Sequence, residues 1–459
     1  MNRSAIVVLA VLGLLVAAAA ALPYWFGMQA ESAYQAMIAE VTQGGDLAVT
    51  SNNFQRGWLE STADTTFTLA GSPITITVLN RISHGPLPVD DDFQFQPVLA
   101  RVRSEMSIGL AAGAPKLPPI KAKTTVYLAG NSSTHLDMAP AKQTAEGGGF
   151  EWKGLSGDLE TSADFKGSKG QITAPGLSLT SAGGSVGLDR MKVVLDQTRS
   201  ASGFNTGTAN LSVDKLAVDG ASGRVTIDGL ALNTTTQEAG GNLNSSLTVQ
   251  FREAASADSR QGPGQIGVQL RKLDVATLVK FRKEIQELRK QKLPPEQVNM
   301  MMLGKTLDLL GQLAKKSPEL EITKLSFKTA DGEVTGKAKF VLDGTQLDVK
   351  GNPMLMLKAL SGEGELSLPD SLVRLLAAPD VKRDIEALKT SGKLKKDEIA
   401  KLTPKRIEMI TKEALKELPQ YRDSAISKFK LVPDGPNYKI LAAFKDGQLT
   451  VNNEPVPMP

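Results

Sequence analysis

What most constrains the fold of this chain is a period of two. Between residues 46 and about 270, short runs alternate apolar with polar residues, as in Thr75-Ile-Thr-Val-Leu79, Thr124-Thr-Val-Tyr-Leu128 and Arg224-Val-Thr-Ile227. Successive side chains of an extended strand point to opposite faces, so such runs predict antiparallel strands with one apolar and one solvated face. Gly and polar residues punctuate them. Gly167-Ser-Lys-Gly170, Gly183-Gly184, Asp219-Gly220, Asp228-Gly229 and Gly240-Gly241 all read as hairpin connections. Leu-x-Leu and Leu-x-Val cadences recur nearby at no fixed period, which describes a meander rather than a repeat.

The period changes after Asp274. Over residues 275–291, Leu278, Phe281, Ile285 and Leu288 form one helical stripe with Asp274 as its N-cap. Pro294 and Pro295 end that helix and start another carrying Met302, Leu303, Leu307, Leu310 and Leu313, so residues 271–318 are a helical insert. Alternation returns over 319–368. A second helical block occupies 369–428, where Asp370 and Asp380 are N-cap expectations and Thr403-Pro404 supplies a cap and a first-turn proline. Residues 429–459 form a hairpin turning at Asp446-Gly447, then a tail. The expected class is mainly β with helical inserts (α+β), a long twisted antiparallel sheet curled over an apolar face.

The N-terminus indicates the compartment. From Ala5 to Met28 the sequence holds 24 residues without formal charge, preceded by Arg3. As a helix, the stretch from Ala5 to Leu22 would be about 27 Å long, close to the ~30 Å hydrocarbon thickness. Pro23 follows, then Tyr24, Trp25 and Phe26, where an interfacial aromatic belt would lie. Small residues at 17–21 also suit a cleaved signal peptide, but the run exceeds the usual h-region of about 7–15 residues, which favours an uncleaved anchor over 1–28. Either reading places residues 29–459 outside the cytoplasm. A juxtamembrane helix over 29–45, with Ala33, Met37, Ile38 and Val41 at helical spacing, would carry the chain off the bilayer and into the β-rich region of residues 46–270.

Composition removes most chemistries. With 53 Lys and Arg against 49 Asp and Glu, the +4 balance gives no nucleic-acid footprint. Zero cysteines exclude disulfides, thiolate metal sites and cysteine nucleophiles. His84 and His135 are the two imidazoles. His84-Gly85-Pro86 precedes Asp90-Asp91-Asp92, yet a metal site would want a second nearby His, and this reads as a strand-end turn followed by a solvated acidic loop. Gly262-Pro-Gly-Gln-Ile-Gly267 spells GxGxxG without the following helix, and Gly304-Lys305-Thr306 sits mid-helix without the first phosphate-loop glycine. No cofactor or metal is expected. Arg282, Lys283, Arg289, Lys290 and Lys292 suit either anionic headgroups or a solvated helix face. Trp58, beside Arg56 and Gly57, reads as core or bulge packing.

Four motifs carry a resemblance: Phe54-Gln-Arg-Gly-Trp-Leu, Ile82-Ser-His-Gly-Pro-Leu-Pro, Trp152-Lys-Gly154-Leu-Ser-Gly and Phe444-Lys-Asp-Gly-Gln-Leu-Thr-Val-Asn-Asn. In content and order they resemble the YdgA-like family of Gram-negative envelope proteins, across nearly the full length. At the last motif this chain has Asn452-Asn453 where the family has Asn-Gly. The resemblance implies an inner-membrane segment and no known activity. The functional expectation is non-enzymatic: lipid handling or envelope maintenance through an apolar groove, in a single-pass membrane protein whose partners are the membrane, lipid and other envelope proteins. A scaffold docking through its helical inserts is the alternative, and a hydrolase using His84 a weaker one.

Overall fold

The structure, a computed structural model, describes residues 3–42, 47–69, 72–90, 95–110, 115–145, 147–221, 223–257, 259–291, 294–344, 357–391, 398–399 and 401–456. The chain divides into two units, Met1–Thr235 and Thr236–Pro459.

The first unit opens with α1 (Arg3–Thr42), one helix with Pro23 inside it. The sequence reading divided this stretch into an anchor over 1–28 and a separate juxtamembrane helix over 29–45. An interior proline costs about 3 kcal/mol of helix stability, but good helix formers lie on both sides of it, and downstream Phe26, Ala30, Tyr34 and Ile38 are buried. Among the described residues no helix is long and apolar enough to cross a membrane. The side chains of residues 1–21, on which the anchor expectation rests, lie outside the described residues.

Strands follow: β1 (Leu47–Arg56), β2 (Glu60–Leu69), β3 (Thr75–His84), β4 (Ala100–Gly109), β5 (Ile120–Val126), β6 (Ser132–Met138), β7 (Ala141–Ala145), β8 (Gly148–Trp152), β9 (Leu155–Thr161), β10 (Gly167–Ser181), β11 (Gly184–Arg199), β12 (Asn205–Gly220) and β13 (Gly223–Ala239), in which the unit boundary falls. Pairing is antiparallel in the order β1-β2-β3-β4-β5-β6-β9-β10-β11-β12. β7 and β8 prolong the β6–β9 hairpin without a change of register, from Ser132↔Thr161 to Ala145↔Gly148.

A crease crosses these strands. Pro140 and Lys153-Gly154 separate β6 from β7 and β9 from β8, and the pairing of β10 with β11 skips Pro175 and Arg190. That of β11 with β12 skips Arg190 and Asp214, which form an ion pair at 3.5 Å. β13 lies beside β12 through Lys215–Asp228 at 3.6 Å, which sets Gly229 opposite Asp214. Gly154, Arg190 and Gly229 have φ of +97°, +31° and +65°. Asp228-Gly229, expected as a hairpin, is therefore the point where β13 crosses the crease, and Gly167-Ser-Lys-Gly170 begins β10 rather than connecting strands. Apolar positions change parity there. Ile172–Val193–Leu211 form a cross-strand ladder on one side, and Trp152–Leu177–Leu188–Leu216 on the other.

The second unit contains β14 (Asn242–Phe251), β15 (Glu253–Ala255), β16 (Arg260–Gln261), β17 (Gly264–Asp274), α2 (Val275–Lys290), α3 (Pro295–Ala314), β18 (Glu319–Thr329), β19 (Gly332–Leu342), β20 (Leu360–Pro369), α4 (Asp370–Leu376), α5 (Ala378–Thr390), α6 (Pro404–Glu417), α7 (Pro419–Lys428), β21 (Val432–Asp434), β22 (Asn437–Lys445), β23 (Gln448–Val451) and β24 (Glu454–Val456). The antiparallel order is β14-β17-β18-β19-β20-β22-β23-β24. Asp274 caps α2, accepting a hydrogen bond from the Thr277 amide at 2.8 Å, and Thr403 caps α6. Asp370 and Asp380 do not cap. Pro369 is the N-cap of α4, α5 begins at Ala378 with Pro379 in its first turn, and Asp380 is a buried helical residue paired with Arg383 and Lys428.

One face of this second sheet is apolar. Val334, Leu368, Val373, Ala377, Val381, Ile385, Leu415, Ala425 and Leu431 make a core between α4–α7 and the β18–β22 strands. Further along the same face Phe340, Phe444 and Leu449 line an open cleft of about 460 Å³. The opposite face is charged: Glu319 meets Arg271, Lys272 and Lys339, and the Lys272 hydrogen bond holds its carboxyl below the usual range.

Candidate functional site

The two motifs nearest the N-terminus converge at α1. Gly57 and Trp58 lie in the connection from β1 to β2, and His84 ends β3. The Tyr24 and Trp58 rings stand 5.3 Å apart, and the Arg56 guanidinium lies 5.0 Å from the Tyr24 ring centroid while pairing with Glu31 at 3.0 Å. Trp58 is 55% exposed, so it is a bracket on the helix rather than the core residue expected from sequence. Trp25 is exposed, whereas Phe26 is buried.

His84 is 2% exposed. Its Nδ1 lies 3.1 Å from the Trp58 carbonyl and its Nε2 2.8 Å from Ser61 Oγ. A carbonyl only accepts, so in the neutral ring Nδ1 carries the hydrogen and Nε2 accepts from Ser61. This is the hydrogen-bond pattern of a serine–histidine pair, but Ser61 is 1% exposed and its hydroxyl meets no substrate in this arrangement. The pair locks β2 to β3. It also seats α1: a Cβ on Gly27 would fall 2.5 Å from His84 Cε1, so only glycine lets the helix approach this closely. Gly85-Pro86 turns the chain out of β3, as expected. Asp90 is not a solvated loop residue, because its side chain is 6% exposed and pairs with Arg101 at 3.2 Å. Asp91 and Asp92 lie outside the described residues. His135 sits on β6, 2.8 Å from Asp158 in the open. Among the described residues no group of His, Asp and Glu could hold a metal.

Further along α1 a polar network fixes the helix. Asn80 Nδ2 donates to Tyr34 Oη at 3.1 Å, and Thr65 Oγ1 lies 2.7 Å from the same hydroxyl while donating to Asn52. With the Thr65 proton committed, the tyrosine must be the donor to Thr65. Burial pushes the Tyr34 hydroxyl above its usual range, and the Thr65 and Asn80 hydrogen bonds oppose that shift. Sequence reading missed these partners. The available signal was Asn80 alternating with Ile82 and Val78 on an apolar face, a polar residue where burial requires a partner.

Beside this network lies a groove of about 430 Å³, within the ~300–1,000 Å³ of ordinary ligand cavities. Ala33, Met37 and Val41 of α1 form one wall, and Val102, Val126 and Phe165 line the sheet side. Its floor includes Ser132, Thr134, Thr161 and Ser168. Two residues further along the same face of β10 than Gly170 stands Ile172, which starts the Ile172–Val193–Leu211 ladder. These ladder residues are half-buried, with no helix over them among the described residues of this unit. From β4 to β12 the face crosses seven strands, about 29 Å at ~4.8 Å spacing. Trp152 and Gly154 belong to the crease. Asp446 and Gly447 are the turn of the β22–β23 hairpin with φ of +54° and +77°, and Asn452 and Asn453, at +49° and +67°, make the next turn in left-handed conformations that Asn tolerates.

In comparisons with known proteins, a family model described as bacterial protein of unknown function (DUF945) matches residues 1–459. No curated protein and no solved structure matches the chain.

Proposed function

For a chain that belongs to the bacterial family DUF945, we propose a non-enzymatic role: a membrane-anchored envelope protein that shelters phospholipid acyl chains in the groove beside α1. The observation that supports this is the continuity of one helix. The backbone of α1 runs without a break from the uncharged residues 5–22 to Ala33, Met37 and Val41 on the groove wall. An acyl chain leaving a bilayer along this helix would pass onto the apolar wall that Ala33, Met37 and Val41 form, and the face from β4 to β12 extends to about the thickness of a hydrocarbon core. In this reading Arg3 stays in the cytoplasm, residues 5–22 cross the inner membrane, and both units lie in the periplasm. The fully buried Ser61–His84 pair weighs against the hydrolase alternative.

The test is photocrosslinking. The full chain, reconstituted in vesicles with phosphatidylcholine bearing a diazirine on its acyl chain, should give crosslinks at residues 99–102, 126–134 and 161–172 as well as in residues 5–22. Val102→Glu should remove most of the former and leave the latter. Crosslinks confined to residues 5–28 would overturn the proposal.

A further inference from the structure

The two ends of the first unit's sheet differ. Register carries Arg56↔Ser61, His84↔Ala100, Val126↔Ser132, Thr161↔Ser168 and Arg199↔Asn205 across one end, so the connections over residues 57–59, 85–99, 127–131, 162–166 and 200–204 all lie there. Trp58, Leu59, Val89, Phe95 and Leu128 occupy three of these connections and are 54% to 84% exposed. The connections at the opposite end, over residues 70–74, 110–119, 146–147, 182–183 and 221–222, hold Leu110 as their one exposed large apolar side chain among the described residues. Apolar side chains scattered singly over a surface need no explanation, but five gathered at one rim do.

The course of α1 identifies what lies there. Tyr24 meets Trp58 and Gly27 meets His84 at this rim, whereas Ile38 joins the Phe67 cluster further down the strands, so residues 3–22 continue the helix outward from the rim. Tyr24 follows Leu22 by two residues, about 3 Å of helix, and a headgroup layer is about 5–8 Å thick on each side of the hydrocarbon. Trp58, its ring 5.3 Å from that of Tyr24, falls at the same depth, where tryptophan is favoured. We propose that this rim rests in the headgroup layer of the bilayer, its apolar side chains reaching the acyl boundary, which rests on the reading of α1 as the anchor. Gly130, Ala163 and Phe165, in two of the same connections, line the groove beside α1, so a seated rim opens that groove directly onto lipid. Arg56 and Asp90 at the rim are already paired, with Glu31 and Arg101, so the contact is apolar and should form on a neutral bilayer.

The absence of cysteine makes the test direct. Phe95→Cys and Leu128→Cys on the rim, Leu110→Cys at the opposite end and Leu14→Cys within the anchor are each labelled with an environment-sensitive nitrobenzoxadiazole dye in the full chain. Each is reconstituted in phosphatidylcholine vesicles containing doxyl-labelled lipid. The labels at 95 and 128 should shift to the blue and be quenched by doxyl groups near the headgroup, and that quenching should survive about 1 M salt because it reports apolar contact. The label at 110 should stay in water, and the label at 14 should be quenched by doxyl groups deep in the acyl chains. Quenching at 14 with the labels at 95 and 128 in water would overturn the seated rim and leave the anchor standing. No quenching at 14 would overturn the anchor and the rim with it. Equal quenching at 110 would mean that the sheet does not rest on this end. A blue shift at 128 that grows with protein concentration and is not quenched by lipid would assign the rim to a second copy.

Discussion

The two units solve one problem in two ways. Each has an antiparallel sheet with an apolar face, and such a face must be covered by another layer or by something that is not protein. In the second unit four short helices do most of the covering, and their own residues reach 0–1% exposure at Val373, Ala377, Val381 and Ala425. In the first unit the cover is the C-terminal half of one helix. It buries Ala30, Tyr34 and Ile38 against Ala63, Phe67, Ile82 and Ala100 and then stops, leaving the ladders of β9–β12 half-buried. The second face is therefore mostly core, and the first is mostly surface held in reserve.

The sharpest way to break this contrast is to remove a large side chain from the core of the second unit. Leu415 is 5% exposed among α4–α7. Leu415→Ala should cost about 2–5 kcal/mol in denaturant unfolding of the full chain. A loss under ~1 kcal/mol would mean that the helices do not seal the face, and the contrast would fail.

Much of this was readable from residues alone, and the exceptions share a cause. Alternation gave the strands, and Asp274, Pro294-Pro295, Thr403-Pro404 and Asp446-Gly447 gave helix starts and a turn, because capping and turn chemistry depend on neighbours within about four residues. Asp228-Gly229 was misread because a glycine looks the same whether the chain reverses or merely creases. Which of these happens depends on whether the adjacent strands crease at the facing positions. Ser61 beside His84, Asp90 beside Arg101 and Asn80 beneath Tyr34 are 23, 11 and 46 residues apart, and no local pattern encodes such pairs. Asp370 and Asp380 show the reverse error, a good local signal displaced by a proline next to it.

How firmly one helix is held can be measured at His84. His84→Ala leaves the buried Ser61 hydroxyl without its acceptor and should cost about 1–3 kcal/mol. Gly27→Ala should cost a similar amount, since its methyl would collide with the imidazole. The double variant should be less damaged than the sum, because the alanine at 84 clears the space the new methyl needs. Strict additivity would show that the helix does not seat on this residue.

The helical insert allows a smaller test with a pH sign. The Thr277 side-chain hydrogen bond holds the Asp274 carboxyl below its usual range. A carboxyl lowered in the folded state stabilises above its unfolded value near ~3.9, and that contribution disappears as pH falls through the lower folded value. Asp274→Ala should cost about 1 kcal/mol at neutral pH, with the difference from the parent vanishing toward acid. A difference that persists below pH ~2 would assign the effect to packing rather than to the charged cap.

The least disruptive comparison makes one chemical change in both units. Val→Thr conserves shape and exchanges a methyl for a hydroxyl, so no cavity forms and the outcome depends on what faces that methyl. At Val381, 1% exposed within the helical core, the hydroxyl has no water to bond and should cost about 1–3 kcal/mol. At Val193, half-buried between Ile172 and Leu211 with no helix above among the described residues of its unit, water can reach the hydroxyl and folding stability should stay within about 0.5 kcal/mol of the parent. If acyl chains occupy that ladder, however, the lost apolar contact is worth up to ~0.8 kcal/mol, and crosslinking at residues 161–172 should fall by about fourfold. Unchanged crosslinking at unchanged stability would confine the lipid to the wall of α1. A Val193→Thr loss as large as that at Val381 would mean that the ladder is closed by protein, and that the two units are covered alike.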